Sequence, residues 1–274
     1  MINFLKNKYY WYRNFNRLSA FFKRINNRKI LIYGYPKSGN TWLRFLVYNY
    51  HSLLLDFSRN NTLTYKELNS LQNNVMDRGD ANLPINDFPF IYRTHAIHNK
   101  SYSLFDYKIY IHRNPLDTLI SSYYFYRNRK VSFPDYPRYI RPKLHDIDFY
   151  VKYKIESWIR YYRISIKNAD HVINYSDLRE DTHAVFTEMV NSLDWRSEKR
   201  CIDKAIKLSS FQSIQNMGRN KLQKEGNSPR DGSFIGEFAR SGIEGQFQKE
   251  LKIETIDEIL KEFPDFIQLY KLIS

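Results

Sequence analysis

The residues with the clearest chemistry stand in one loop, Gly34-Tyr35-Pro36-Lys37-Ser38-Gly39-Asn40-Thr41. Ahead of it Ile30, Leu31, Ile32 and Tyr33 form a short run of strand formers, ended by Gly34 and closed to further ladder pairing by Pro36. Behind it Trp42, Phe45, Leu46 and Asn49 fall three and four apart, the spacing of one helix face. A strand, a glycine-bounded loop and a helix start bring backbone N–H groups and the positive end of a helix dipole to one place, which suits a phosphate-like anion. The loop comes close to the G-x-x-x-x-G-K-[ST] pattern of nucleoside triphosphate sites. Gly34, Gly39 and Thr41 match it, but Asn40 stands at its lysine, and the loop's own lysine is Lys37. The next strongly apolar strand, Tyr107 to His112, runs into Arg113 where a magnesium-holding acid would be expected. Lysine and arginine without a metal carboxylate suit a nucleotide handled without Mg²⁺.

Those residues need a scaffold, and the sequence predicts one. Phe88 to Thr94 reads as a second parallel strand ending at His95, and Tyr107 to His112 as a third. Strand C-termini of open α/β sheets are where ligands bind, which places His95 well for chemistry. After the third strand Asn114 should cap a helix, with Pro115 at its first position and Asp117 completing an arrangement like a capping box. Arg113 then stands on the strand-to-helix corner and Ser121 on the second helical turn. Taken alone, Arg113 reads equally as one side of a surface ion pair. With Ser121 in register, a planar fork and a short donor for phosphate become the better reading. His171 to Tyr175 reads as a fourth strand, with Ser176 capping the turn behind it. Helices are expected at Leu43 to Leu55, Tyr65 to Leu71, Asp148 to Lys167, Thr182 to Leu193 and Ser197 to Leu208, and beyond Gln246 with a break at Pro264.

Two segments now carry a resemblance. YPKSGNTW, residues 35–42, resembles the 5′-phosphosulfate loop of the sulfotransferases that use 3′-phosphoadenosine 5′-phosphosulfate (PAPS). RNPLDTLISSYYF, residues 113–125, is similar to that family's 3′-phosphate-binding strand and helix. The order and spacing of the two agree with the family, over roughly residues 29–260. The resemblance implies an α/β fold, a P-loop-like parallel sheet flanked by helices, in a single domain with a helical C-terminal half. It implies transfer of a sulfuryl group from PAPS to an acceptor hydroxyl, with an amine second, releasing adenosine 3′,5′-bisphosphate and requiring no metal.

The resemblance also implies roles residue by residue. Arg93-Thr94-His95 matches the family's Lys-Thr-His, whose histidine is the catalytic base, and a neutral-range pKa suits that task. Arg93 keeps the charge of the family's lysine but not its geometry. Lys37 would neutralise the leaving group's bridging oxygen. The backbone of Ser38, Gly39, Asn40 and Thr41 would cradle the 5′-phosphate, and Arg113 and Ser121 would bind the 3′-phosphate. Trp42, Tyr175 (in YSDLRED) and Phe211 (in SFQSI) would enclose the adenine. Arg230-Asp231-Gly232 resembles an Arg-Lys-Gly that closes over the 3′-phosphate, which assigns Arg230 and Gly232 to the donor and makes Asp231 a departure. The family's dimer signature is absent, with Ala239, Ile243 and Glu244 standing there.

Composition bounds the remaining choices. A chain of 274 residues with 42% hydrophobic and 26% charged residues supports one large globular domain. With 23 tyrosines and 19 phenylalanines, much core and cleft surface should be aromatic. One cysteine, Cys201, excludes an intramolecular disulfide framework and a multi-cysteine zinc site. No run approaches a membrane span and no signal-peptide core is visible, so a cytoplasmic location is expected. The net charge of +14 points to an acidic substrate, an anionic membrane or nucleic acid. No acid occurs before Asp56, and residues 1–28 form a basic amphipathic arm that could either lie on an anionic membrane or pack on the domain at 29–274. The expected partner is a small-molecule, glycan or lipid hydroxyl acceptor, with no nucleic acid. Two rival classes stay open: a P-loop nucleotide kinase, weakened by Asn40, and a basic non-catalytic binding module.

Overall fold

Four apolar runs become the strands of one parallel sheet in the structure, a computed structural model that describes residues 15–23, 27–71, 73–74, 90–95, 99–128, 132–133, 136–216 and 242–264. The central strand β1 (Lys29–Tyr33) lies between β3 (Phe90–Thr94) and β4 (Tyr107–His112). Beyond β4 comes β5 (His171–Asn174), and beyond β3 a two-residue strand, β2 (Asn73–Asn74), that sequence reading did not anticipate. Parallel neighbours require crossovers, and helices supply them. A helix at 15–22 (α1) precedes the sheet, and α2 (Asn40–Leu55) follows β1. Then come α3 (Tyr65–Leu71), α4 (Asn99–Tyr102) and α5 (Pro115–Arg127). The long α6 (Ile147–Asn168), α7 (Tyr175–Glu180), α8 (Thr182–Ser192) and α9 (Lys199–Leu208) lead to a helical turn at 211–216 (α10). After residue 242, α11 (Phe247–Glu250) and α12 (Ile253–Glu262) complete the helical second half. Among the described residues no helix is long and apolar enough to cross a membrane.

Alternation along the strands sends residues to two different cores. Leu31, Tyr33, Tyr92 and Tyr110 face one side, where they meet α1, α5 and α6. Ile30, Ile32, Ile91, Ile109 and Ile111 face the other, where they meet α2, α8 and α9. The abundant tyrosines therefore concentrate on one sheet face, and the burial of a hydroxyl there calls for a partner. Tyr33 has one, its hydroxyl donating to the Ser165 carbonyl at 2.8 Å. On the opposite side Asn49, on the predicted face of α2, is a buried hub. Its amide donates to Ser209 Oγ at 2.9 Å and to Thr62 Oγ1 at 3.1 Å, and its carbonyl accepts from Leu63 N at 3.0 Å. In α1, Leu18 and Phe22 are buried, and Phe22 packs edge-on against Phe90, Tyr92 and Phe105. Residues 1–14 of the arm lie outside the described residues.

Three local expectations are corrected. The fourth strand stops at Asn174, and Tyr175 opens α7. The cap there is Asn174, whose side chain accepts from Ser176 N, while Ser176 Oγ donates to Glu244 at 2.7 Å. Asn114 does cap α5, accepting from Leu116 N and Asp117 N, but Asp117 does not reach back to close a capping box. Its carboxylate accepts instead from Gly245 N at 2.8 Å and Phe247 N at 3.2 Å.

Candidate active site

The loop between β1 and α2 is built on the Tyr35 carbonyl. Ser38 N and Asn40 Nδ2 both donate to it, each at 3.1 Å. Pro36 and Lys37 form the centre of that turn, and Lys37 holds a left-handed φ of 76°, a conformation uncommon outside glycine. Asn40 is thus spent on the turn rather than aimed outward as the kinase lysine would be. Gly39, with φ 101°, is the N-cap of α2 and supplies no side chain to its first amides. Those N–H groups have no acceptor within the helix and none among the other described residues, which leaves them for a ligand. Two glycines here are set by close approach. A Cβ at Gly34 would stand 2.4 Å from the Ile111 carbonyl, and one at Gly39 2.6 Å from Cδ2 of Tyr175. Ser38 is fully buried, and its Oγ has no hydrogen-bond partner among the described residues. An orphaned donor beside the open amides of a helix start fits a phosphate. Lys37 Nζ sits 4.8 Å from the centre of the Phe125 ring.

Tyr175 joins this loop to the second corner. Its ring meets Trp42 edge-on at 5.7 Å between centroids, and the Arg113 guanidinium lies 4.6 Å above it. Arg113 is only 6% exposed, so the surface ion-pair reading fails. One of its nitrogens, Nη2, donates to the Ile243 carbonyl at 2.8 Å, while buried Nε has no hydrogen-bond partner among the described residues. Ser121 is half-buried two turns along α5. Asp117 lies on the same corner, and burial pushes its carboxyl up, opposed by Arg113 and the two amides it accepts from. Phe211 is 40% exposed rather than core, and it stands against the chain at Gly242, where an added Cβ would come within 2.9 Å of its ring. The structure thus brings the loop of Lys37, Ser38, Gly39 and Trp42 together with Tyr175 and Arg113. Arg230 and Gly232 lie outside the described residues.

His95 follows β3 directly, on the other side of the loop. Its Nδ1 is 3.0 Å from the Gly34 carbonyl. A carbonyl only accepts, so Nδ1 carries the proton and Nε2 keeps its lone pair. Burial pushes the pKa down to about 4, and Arg93, Arg44 and Lys37 act in the same direction. The bond to the Gly34 carbonyl opposes them, and because the residue is exposed by area, water moderates the burial effect. Sequence reasoning missed Arg44. It lies on α2 at 3% exposure, where Nη2 donates to Asn69 Oδ1 at 2.9 Å, and burial lowers its pKa to about 10. The available signal was a lone cation inside the apolar run Leu43 to Tyr48.

Comparison with known proteins agrees with this geometry. The model of the sulfotransferase domain family matches residues 27–269. The chain is 25% identical over 258 residues to the 3-beta-hydroxysteroid sulfotransferase of Cavia porcellus, covering 84% of this chain and 80% of that one. To the flavonol 4′-sulfotransferase of Flaveria chlorifolia it is 23% identical, over 85% of this chain and 78% of that one. Mouse sulfotransferase SULT7A1, solved with PAP, shares the fold at a TM-score of 0.55 and 17% identity, covering 90% of this chain and 86% of that one. Retinol dehydratase, solved with androsterone and inactive cofactor PAP, does so at 0.55 and 17%, covering 93% and 85%. With the two corners, the histidine beside them and a family match over residues 27–269, this protein belongs to the sulfotransferase domain family rather than to the nucleotide kinases or to non-catalytic binding modules.

Proposed function

We propose that this chain transfers the sulfuryl group of PAPS to a hydroxyl of a small-molecule acceptor, releasing adenosine 3′,5′-bisphosphate (PAP). The observation that carries the reading is the tautomer of His95: Nδ1–H is held by the Gly34 carbonyl, so Nε2 is presented as a base beside the Lys37 loop. PAPS supplies the sulfuryl group. The amides at the start of α2 and Ser38 Oγ hold its 5′-phosphate, Arg113 and Ser121 hold its 3′-phosphate, and Trp42, Tyr175 and Phe211 flank its adenine. Arg230 and Gly232 complete the 3′-phosphate site. Lys37 meets the charge that grows on the bridging oxygen as its bond to sulfur breaks. As the acceptor oxygen bonds to sulfur, its proton passes to His95 Nε2. At pH 7 the imidazole is neutral and ready to accept it. A bound polyanion offsets the three cations that lower its pKa, so the base strengthens when the donor is in place.

The test supplies PAPS and ATP separately, with and without EDTA, to wild type, Lys37→Met and His95→Ala. Transfer should come from PAPS alone and survive EDTA. Lys37→Met should slow it by at least about 10²-fold. His95→Ala should slow it by roughly 10²–10⁴-fold with PAP affinity near wild type. Transfer from ATP that EDTA abolishes, with none from PAPS, would overturn the reading.

A further inference from the structure

Beside His95, on the side away from Arg113, the fold brings two arginines together. Arg93 precedes His95 by two residues on β3, and alternation puts it on the face of Ile91, which packs in the core shared with α2. Arg44 comes from α2 itself, with Tyr65 and Asn69 of α3 around it: its guanidinium is 5.9 Å from the Tyr65 ring and bonds Asn69 at 2.9 Å. Arg93 is close enough to Arg44 to repel its charge, and both act on Tyr48 one turn along α2. Arg44 is 3% exposed, and its Nε is buried with no hydrogen-bond partner among the described residues. Among the described residues neither arginine forms an ion pair with a carboxylate, whereas Arg59 and Glu67 pair nearby. Two neighbouring guanidinium groups, one desolvated and without a counter-charge, oppose folding. Such an arrangement persists where a ligand removes the conflict. The donor's own cations, Lys37 and Arg113, lie on other elements and are already committed to its phosphosulfate and 3′-phosphate.

We propose that Arg44 and Arg93 form a specificity site for an oxyanion carried by the acceptor, a carboxylate or sulfate near the hydroxyl that His95 deprotonates. The acceptor is then an acidic hydroxyl compound, in keeping with a net charge of +14. This rests on the sulfotransferase reading of the same cleft. Arg93 contributes a planar fork where the family's lysine gives a point charge, and a fork suits a bidentate oxyanion.

The test uses the full chain and separates the two readings. Calorimetry with PAP reports the donor site by itself. Protein with and without PAP is then titrated with 4-hydroxybenzoate against 4-hydroxybenzamide, and with methyl glucuronide against methyl glucoside. The anionic member of at least one pair should bind at least about tenfold tighter. Arg93→Gln and Arg44→Gln should each bring that preference to within about twofold while PAP affinity stays near wild type. Should Arg44→Gln prove insoluble, Arg93→Gln, at a half-buried strand end, decides alone. No preference in either pair, or one that survives the substitutions, overturns the proposal. So does an equal loss for the neutral and anionic members. A carboxylate preference that depends on the arginines in a protein that fails to bind PAP would support this site and sink the donor reading.

Discussion

The corners β1–α2 and β4–α5 have the same plan, a buried parallel strand turning into a helix, yet they cap that helix in opposite ways. At the first, Gly39 at φ 101° offers no side chain, and the amides of the first turn stay available. At the second, Asn114 Oδ1 occupies the amides of Leu116 and Asp117 at 2.9 and 3.3 Å. A helix start whose donors are already taken binds no phosphate with its backbone. In the proposed donor site the second corner would therefore use side chains, those of Arg113 and Ser121. On that reading, capping chemistry decides whether a strand-to-helix corner meets an anion with amides or with an arginine fork.

The largest effect should come from giving the first corner a side chain. Gly39→Ala forces a Cβ into the Tyr175 ring and strains a left-handed backbone, which should cost about 4 kcal/mol in stability and abolish PAP binding. Denaturant unfolding and calorimetry on the same sample would show it. A soluble Gly39→Ala with wild-type PAP affinity would break the comparison at its first term. Next, Arg113→Gln should weaken PAP by about 3 kcal/mol and leave AMP unchanged, since the fork serves only the 3′-phosphate. Equal losses for the two nucleotides would show that Arg113 serves the fold instead.

Acid should act on the frame of both corners. His51 in α2 and His112 at the end of β4 are buried, and burial lowers their pKa values to about 3 and about 4. The unfolded chain, with imidazoles near 6.5, binds more protons throughout the interval below that value. Stability is therefore full above about pH 6.5 and falls as the pH drops toward 4, by about 2 kcal/mol per histidine at pH 5. His112→Phe should flatten its share of the slope in urea titrations across that range, and an unchanged slope would exclude His112 as a source. The smallest effect should be that of Asn114→Ala: about 1 kcal/mol of stability, with PAP affinity near wild type. A large loss of PAP affinity there would mean that the second corner does bind through its backbone.

What the sequence disclosed about these corners was whatever is decided within a few residues. An isoleucine-rich run, Pro36 and paired glycines specify the first loop, and Asn114-Pro115 specifies the second helix start, because caps and turns are local interactions. Asp117 shows where that stops. Its spacing from Asn114 fits a capping box, but two amides 128 and 130 residues away compete for its carboxylate and hold it. Arg44 shows the same limit from the other direction. A cation within an apolar helix run gains its meaning from Asn69, Tyr65 and Arg93, which two other elements, α3 and β3, deliver. The exposure of Phe211 was not legible in SFQSI, because it depends on where the chain at Gly242 passes.

The clasp of Asp117 and Arg113 on residues 243–247 also sets a timetable for the molecule. A ribosome releases chain from the N-terminus, and both corners exist as sequence once residue 127 is out. The second corner cannot be closed until Ile243, Gly245 and Phe247 arrive, because their backbone groups are what Arg113 and Asp117 hold. Bringing such distant segments together is entropically slow, so a nascent chain spends its synthesis with a buried-type aspartate and arginine still in water. Closure of the second corner is then acquired only once residue 247 has been made, and a product cut short before residue 242 would carry the first corner without the closure of the second.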